Sequence, residues 1–555
     1  MTKIALVLGG GVSLGAYTGG AVSEILRALT ATGRRPESDH PTRIHVITGT
    51  SAGALNAALA ARCLAVNREL LPWIQSAWVD GADAAHLLNS NRKNRSAWLD
   101  DSVIEQLTRA LITADPATED SYSPAAGDPL RVGVTLANLG GVRYDVPYGF
   151  LNQPGRSFGT VLHNDSLAVE LNRVTGASDP VWETLRQAAL ASSAFPFAFP
   201  VRSLMRSSAD YPGATLPGDP GDDLSMCYVD GGLFDTAPLG LAKRLVARDP
   251  NFRADDWRYI LVEPTLRSSG THQPTSIVDA PRAALDLTAE LTRAVLGQAA
   301  AQDWVRAHRV NARLEVLSAL VDRLPELNDR LHDPDELGLG RRIGELAERV
   351  AEMQVALDPG SVPATGAGSD AADVYLDRHL QRIEADDRYQ GALSQSESRA
   401  GRSRLAKLVF LLESAGGLCG KDILRLYLVA PPERGELSGD FLGNFGGFLN
   451  REWRANDFRA GRRDARRLIE ESLADIVSYE PSDDDDYRVE AIDPTWESVP
   501  VSTRRRLVSA LEDEADRTLS ELKPRGLAAL FTWAWKPVLK RWLVERATRA
   551  LQEAR

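Results

Sequence analysis

Two short apolar runs near the start of the chain each pass through a glycine-rich turn into a helical pattern. Residues 4–8 precede a triple glycine and a helical run over 17–29, and residues 44–47 precede a second glycine turn and a helix over 54–64. Strands that alternate with helices are typical of a parallel sheet covered by helices. The sequence therefore predicts an α/β fold with a mostly parallel central sheet.

Further short apolar runs bounded by turn residues predict strands over 130–136, 226–229, 259–262 and 424–429. The stretch from 277 to 412 instead has apolar residues every three or four positions, which is typical of helices. We therefore divide the chain into a core at 1–275 and a helical insertion or lid-like region at 276–415, which contains a flexible linker near 358–369. The stretch 416–435 contains a strand that we expect to rejoin the sheet, and 436–555 is a mainly helical region.

The second glycine turn, Gly49-Thr50-Ser51-Ala52-Gly53, stands directly between an apolar strand and a helix. In a nucleophile elbow the serine occupies a strained turn, and flanking glycines such as Gly49 and Gly53 avoid clashes with neighbouring backbone. The serine hydroxyl would then lie at a helix N-terminus, where negative charge is favoured. The alternative is an ordinary strand-to-helix turn with a capping serine.

The first glycine turn is Gly9-Gly10-Gly11. Consecutive glycines let backbone N–H groups face a cavity, and two such donors are what a tetrahedral oxyanion requires. The alternative is a dinucleotide-binding turn, because Gly9, Gly11 and Gly15 resemble a loosened phosphate-binding pattern. That pattern requires an acidic residue at the end of the second strand, and here the second strand ends in the Gly49 to Gly53 turn.

A serine nucleophile needs a base. The eight histidines are scattered in no context that completes a triad, whereas Asp230 ends a short apolar strand and is followed by Gly231 and Gly232. Strand ends in parallel sheets line the ligand crevice, which makes Asp230 the candidate base. An Asp of ordinary pKa, about 4, is a weak base at neutral pH, so the oxyanion hole would have to contribute much of the acceleration. The alternative is that Asp-Gly-Gly is simply a turn.

Four blocks in this order resemble the patatin-like phospholipase family: the triple glycine, the elbow, the Asp230-Gly231-Gly232 turn, and between the last two the segment 191–200, Ala-Ser-Ser-Ala-Phe-Pro-Phe-Ala-Phe-Pro. These blocks span about the first 265 residues. Downstream, 437–448 with Gly461-Arg462 looks like the C-terminal region of longer bacterial patatin-like proteins.

The resemblance implies a patatin-like three-layer fold and hydrolysis of acyl esters of phospholipids or related lipids, as by a phospholipase A or lysophospholipase. It implies a Ser51–Asp230 dyad with an acyl-enzyme intermediate, without histidine, metal or cofactor. It also implies that the N–H groups of Gly10 and Gly11 lie in the oxyanion hole. The rival interpretation is a non-catalytic lipid- or protein-binding member of the same fold.

One departure is that the family places Arg or Lys and then Gly after the triple glycine, whereas Val12-Ser13-Leu14-Gly15 has no cation.

The formal net charge of −12 argues against a nucleic-acid partner. Three distant cysteines, Cys63, Cys227 and Cys419, predict neither a disulfide framework nor a thiolate metal site, which fits a reducing cytoplasm. The N-terminus reads as a first strand rather than a signal peptide, and no run approaches the roughly 18 apolar residues that a spanning helix needs. We therefore expect a cytoplasmic protein that is not integral to a membrane.

The stretch 523–555 has a net charge of +6 and includes Trp533, Trp535 and Trp542. Basic residues interleaved with tryptophans suit an interfacial helix on anionic lipid, at the inner face of the membrane, although Pro537 would interrupt such a helix. The alternative is a terminal helix whose tryptophans pack on the protein. The arginines at 462, 463, 466 and 467 indicate a solvated helix face, and the alternative is a lipid site.

Overall fold

The structure is a computed structural model of the 555-residue chain. It describes residues 2–33, 41–88, 97, 99–113, 122–147, 157–196, 198–217, 219, 221–266, 284–325, 338–357, 369–396, 398–432, 437–477, 486–521, 544 and 548. Most of the predicted linker at 358–369 and most of 523–555 therefore lie outside the described residues.

The described strands are β1 (Thr2–Leu8), β2 (Thr42–Gly49), β3 (Ala126–Pro147), β4 (Ser157–Leu171), β5 (Arg202–Ser207), β6 (Ala214–Thr215), β7 (Asp223–Asp230), β8 (Trp257–Val262) and β9 (Leu426–Val429). The described α-helices are α1 (Gly15–Gly33), α2 (Ala52–Ala65), α3 (Leu70–Gln75), α4 (Ala84–Leu87), α5 (Ser102–Thr108), α6 (Val181–Ser192), α7 (Leu239–Val246), α8 (Ala284–Val321), α9 (Leu339–Leu357), α10 (Ser369–Ala385), α11 (Asp387–Ser394), α12 (Arg399–Ala415), α13 (Phe441–Asn444), α14 (Arg451–Ser472) and α15 (Val501–Glu521).

The strands form one sheet in the order β5-β7-β3-β2-β1-β8-β9, with β4 and β6 also paired to β3. The five strands from β3 to β9 in that order are joined by parallel pairings. Antiparallel pairings add β7, β5, β4 and β6 beyond β3. Helices α1, α2 and α7 pack against the strands. The predicted α/β class with a parallel central sheet is confirmed.

The two parallel crossovers at the N-terminus follow the predicted pattern. Strand β1 has six buried residues in a row, as expected of a strand covered on both faces. Helix α2 is buried along its whole length, and its many alanines let it pack closely in the core. Strand β4 was not predicted, because its sequence mixes polar and apolar residues without a sustained apolar run.

The chain divides into two compact units, Met1–Asp303 with Arg425–Arg555, and Trp304–Leu424. The second unit is helical and has its own core, which includes Leu314, Ala347, Ile383 and Phe410. Its buried Glu413 accepts hydrogen bonds from Arg382 and Tyr389.

Helix α14 belongs to the first unit and packs along α1, although its sequence lies more than 400 residues downstream. A side chain at Gly20 would collide with the backbone of Phe458, and one at Gly461 with the backbone of Tyr17, so the glycines allow the two helices to approach closely. The hydrophobic core of the sheet continues without interruption into this helix.

Arg462, which the sequence placed on a solvated helix face, is buried and donates to Glu24 of α1 at 3.0 Å. That expectation was wrong for Arg462, because α1 covers this side of α14.

Within the described residues, no helix is both long and apolar enough to cross a membrane.

Candidate active site

Ser51 lies in a sharp turn between β2 and α2. Its φ of 54° is in the left-handed region, which is unusual for a residue with a side chain. A side chain at Gly49 would collide with the backbone of Gly53, and one at Gly53 with the backbone at the end of β1. The two glycines therefore permit a turn that crosses directly over the neighbouring strand, and Ser51 is the N-cap residue of α2.

The Ser51 hydroxyl donates a hydrogen bond to Oδ2 of Asp230 at 2.5 Å, although 179 positions separate the two residues. Both side chains are buried. Strand β7 is antiparallel to β3 and pairs Asp230 with Leu136, two residues beyond the Val134 that pairs with Gly49. Asp230 thus reaches the edge of the parallel strands from an antiparallel strand. The sequence interpretation, which took this strand end as one of a parallel set, was wrong on that point.

Burial raises the pKa of Asp230 to about 7, while the hydrogen bonds from Ser51 and from the Gly232 N–H act in the opposite direction. The Gly232 N–H donates to Oδ1 at 2.7 Å, so both carboxylate oxygens have a donor. A carboxylate whose pKa is near neutrality accepts a proton far better than an ordinary Asp does. The low basicity expected from sequence is therefore removed by the environment of the side chain.

The glycine loop lies against the elbow, since a side chain at Gly10 would approach Cβ of Ser51 to 3.2 Å. The N–H of Gly9 donates to the carbonyl of Val262 at 2.8 Å, and that of Gly10 to the carbonyl of Thr236 at 3.1 Å. These two donors are occupied by backbone. In the described part of the chain, the N–H groups of Gly11 and Val12 have no acceptor. Of the three glycines predicted as oxyanion donors, Gly11 alone retains an N–H that a ligand could use.

Val12 has a φ of 54°, which is strained for a β-branched residue. It occupies the position directly after the triple glycine, where the sequence departs from the family pattern. The strained backbone turns the chain at the first residue of the 3-10 helix Val12–Leu14, which leads into α1.

Two residues of the segment 191–200 support the site, a role that sequence reasoning did not assign. Ser192 at the end of α6 accepts the N–H of Ser51 on its hydroxyl at 2.9 Å. The carbonyl of Ala194 accepts the N–H of Asp230 at 2.9 Å. One short segment therefore holds the backbone of both members of the pair. The sequence feature that could have indicated this role is the Ala-Ser-Ser-Ala motif, which the family resemblance identified without assigning it a function.

An apolar pocket opens beside Ser51. Its walls come from α2, from the segment around α5, from the end of α6 and the residues after it, and from the C-terminal part of the chain. The lining includes Leu55, Leu59, Leu111, Phe195, Phe199 and Phe448. Among the described residues of the lining, Asp101 is the charged one, and it is paired with Arg202. Such a pocket suits a hydrocarbon chain better than a polar ligand.

No histidine lines this pocket or bonds Ser51 in the part of the chain that the structure describes. His163 stacks on Phe234 with ring centroids 6.4 Å apart and its Nδ1 is 2.8 Å from the carbonyl of Asn138. Among the described residues, no three His, Cys, Asp or Glu side chains are grouped as metal ligands.

These features define an α/β protein with a buried serine–carboxylate pair beside an apolar pocket. Residues 6–243 match the family described as patatin-like phospholipase, a match that supports lipid acyl hydrolysis in general. Residues 431–481 match a second family, described as a protein of unknown function (DUF3376). No curated protein matches the chain.

Proposed function

We propose that this protein cleaves acyl esters of lipids, as a phospholipase A or lysophospholipase does, through a Ser51–Asp230 dyad. The observation that supports this most strongly is the 2.5 Å hydrogen bond from the Ser51 hydroxyl to the buried carboxylate, beside a pocket of apolar side chains.

In the acylation step, Oγ of Ser51 attacks the ester carbonyl carbon while Asp230 accepts the hydroxyl proton. The tetrahedral intermediate has an oxyanion, for which the free N–H groups of Gly11 and Val12 and the N-terminus of α2 are the candidate stabilising groups. Collapse of the intermediate breaks the ester bond, and the leaving alcohol takes the proton from Asp230. A water molecule then attacks the acyl-Ser51 ester while Asp230 accepts a proton from the water. The bond from the acyl carbon to Oγ of Ser51 breaks, Asp230 returns the proton to Oγ, and the fatty acid is released.

The pKa of about 7 for Asp230 supports this assignment. A carboxylate of this basicity exchanges a proton with substrate at neutral pH in either direction, as both half-reactions require. The dinucleotide alternative has little support, because the N–H groups of Gly9 and Gly10 bond backbone carbonyls instead of facing a ligand.

Labelling with a fluorophosphonate, which phosphonylates an activated serine hydroxyl, tests the nucleophile. We expect labelling of the wild type and its loss in Ser51→Ala, together with loss of hydrolysis of nitrophenyl esters and phospholipid vesicles. Ser23→Ala is the matched control, because Ser23 is also buried but bonds the carbonyl of Gly19 within α1. Full hydrolysis by Ser51→Ala would refute the dyad, and vesicle binding without hydrolysis in the wild type would favour the non-catalytic alternative.

We further propose that the protein contacts anionic membrane through residues 523–555, on their sequence alone. Deletion from Gly526 onward is expected to weaken binding to liposomes of anionic lipid. Unchanged binding after the deletion would contradict this proposal.

A further inference from the structure

A segment from the family of unknown function lies at the candidate active site. We call residues 437–449 the wall segment; they comprise the 3-10 helix Ser438–Asp440, α13 and the 3-10 helix Gly446–Leu449. The wall segment is outside the matched patatin-like region at 6–243, and it falls within the second match at 431–481.

The wall segment is bonded to the glycine loop through Ser13. The fully buried Ser13 hydroxyl donates to the carbonyl of Asn444 at 2.6 Å and accepts the N–H of Gly447 at 3.0 Å. A side chain at Gly447 would collide with Ser13, so the approach requires glycine. Ser13 directly follows Val12, and its two bonds therefore hold the loop that contains the free N–H groups of Gly11 and Val12.

The backbone of the wall segment is itself strained. Leu442, Gly443 and Asn444 have φ values of 55°, 65° and 74°, three successive residues in the left-handed region. Such a conformation persists only where surrounding contacts enforce it. One of those contacts is the bond from Ser13 to Asn444, so the strain and the glycine loop are coupled through one hydroxyl.

Helix α14 anchors the wall segment from the other side. The buried Arg454 donates to the carbonyls of Gly447 and Phe448 at 2.9 and 3.2 Å and to that of Val79 at 3.0 Å. Asp457 accepts the N–H groups of Ser438 and Gly439, each at 2.8 Å. The wall segment is thus held at both ends by side chains of one helix.

The same segment lines the apolar pocket. Phe448 is buried and belongs to the lining together with Val12 and Ser51. Phe445 packs edge-on against Phe195, another lining residue, with ring centroids 5.6 Å apart, and against Phe448 at 6.0 Å. Phe448 therefore limits the space beside the serine, and Phe445 supports Phe448 and Phe195 from behind.

We infer that the wall segment completes the acyl-binding site of the patatin-like domain: Phe448 selects the acyl chain by its size, and Ser13 is a positioning residue that holds the glycine loop. This inference rests on the proposed hydrolase function and adds that the pocket receives one hydrocarbon chain. It also gives the residues 437–449 a role in substrate selection.

Chain-length profiles test the role of Phe448. kcat/KM is measured on nitrophenyl esters from short to long acyl chains for the wild type, Phe448→Ala and Phe448→Trp. The smaller side chain widens the pocket, and we expect about a fivefold or greater shift of the long-to-short ratio toward long chains. The larger ring is expected to shift the ratio toward short chains. Phe252→Ala, which removes an exposed ring outside the pocket, should keep the wild-type ratio.

Ser13→Ala tests the positioning role. We expect kcat to fall about tenfold or more at every chain length with KM within a factor of about three, because the loss affects transition-state stabilisation. Fluorophosphonate labelling of Ser51 should slow in parallel. A fall in melting temperature with unchanged kcat would overturn the role of Ser13.

Unchanged chain-length profiles in both Phe448 variants, in a wild type that is labelled and active, would overturn the inference while leaving the proposed function intact. If Phe448→Ala does not fold, Phe448→Leu replaces it and must show the same direction of shift. A wild type that is neither labelled nor active would instead refute the hydrolase function, and the inference would fail with it.

Discussion

Arg462 of α14 and Glu24 of α1 form a buried ion pair, with Nε and Oε2 3.0 Å apart. The Glu24 side chain is fully buried, and it also accepts the hydroxyl of Tyr487 at 2.5 Å. Because burial of an unpaired carboxylate is costly, the pair ties α14 to the helix that follows the glycine loop.

Arg462→Ala is expected to destabilise the protein by about 3 kcal/mol, because it leaves the Glu24 carboxylate buried without its closest cation. Chemical denaturation gives the free energy of unfolding. Arg466→Ala on the same helix is the control, since Arg466 pairs with Glu470 at a more exposed position and should cost no more than about 1 kcal/mol. Equal decreases in the free energy of unfolding of the two variants would show that the buried pair contributes no more to stability than the exposed pair does.

Hydrolysis should depend on the protonation of Asp230. Only the ionised carboxylate can accept the Ser51 proton, so kcat/KM should rise with pH through about 7, the pKa that burial gives this side chain. Asp230→Asn cannot accept the proton and should lower kcat about 10³-fold or more. A pH–rate profile of the wild type checks the first expectation. An activity that is flat between pH 5 and 9 would argue that Asp230 is not the base.

Ser192→Ala should weaken the elbow. It removes the acceptor of the buried Ser51 N–H, and an unsatisfied buried donor costs about 1–3 kcal/mol. We expect a lower melting temperature and a lower kcat, because the turn that orients the hydroxyl loses a support. The neighbouring Ser193→Ala is the comparison, since its hydroxyl bonds the carbonyl of Leu190 within the same helical end. Similar kcat values for the two variants would contradict the assigned role of Ser192.

The melting temperature should fall as pH rises from about 6.5 to 8, above the range in which His45 and His379, whose pKa values burial lowers to about 4, act in the opposite direction. Burial raises the pKa of Asp457 to about 8, so between the ordinary Asp value and pH 8 the folded protein holds a proton that the unfolded chain has released. Stability is then greatest at low pH within this window and is lost as pH rises. Asp230 contributes in the same direction up to about pH 7.

Asp457→Asn should therefore reduce the dependence of the melting temperature on pH without abolishing it, because Asp230 still titrates. One proton contributes at most about 1.4 kcal/mol per pH unit to the free energy of unfolding. Asp493→Asn, at an exposed position, is the control and should retain the wild-type slope. A wild-type melting temperature that rises with pH across this window would show that the buried carboxyls do not behave as described.

Much of the fold and of the candidate site could be predicted from sequence because the signals are local. The apolar runs of β1 and β2, the glycines around Ser51 and the small residues of α2 are all contained in the first 65 positions. The resemblance of four ordered blocks then paired Ser51 with Asp230 although 179 positions separate them.

The same local reasoning missed the partners that only folding brings together. Ser192 is an ordinary helix-terminal serine in the sequence, and its contact with the Ser51 N–H depends on how α6 packs. Arg462 has charged neighbours that suggest a solvated face, and only the proximity of α1 makes it a buried ion-pair partner.

By itself, the sequence determined the elements and their chemistry: a strand, a strained serine turn, a helix rich in small residues, and an aspartate at a strand end. The tertiary structure decided what those groups can do. It buried Asp230 so that its pKa rises to about 7, and it occupied the N–H groups of Gly9 and Gly10 with backbone carbonyls. It also brought Phe448 beside Ser51. The physical reason is that burial, desolvation and hydrogen-bond pairing depend on neighbours distant in sequence, whereas backbone preference depends on neighbours along the chain.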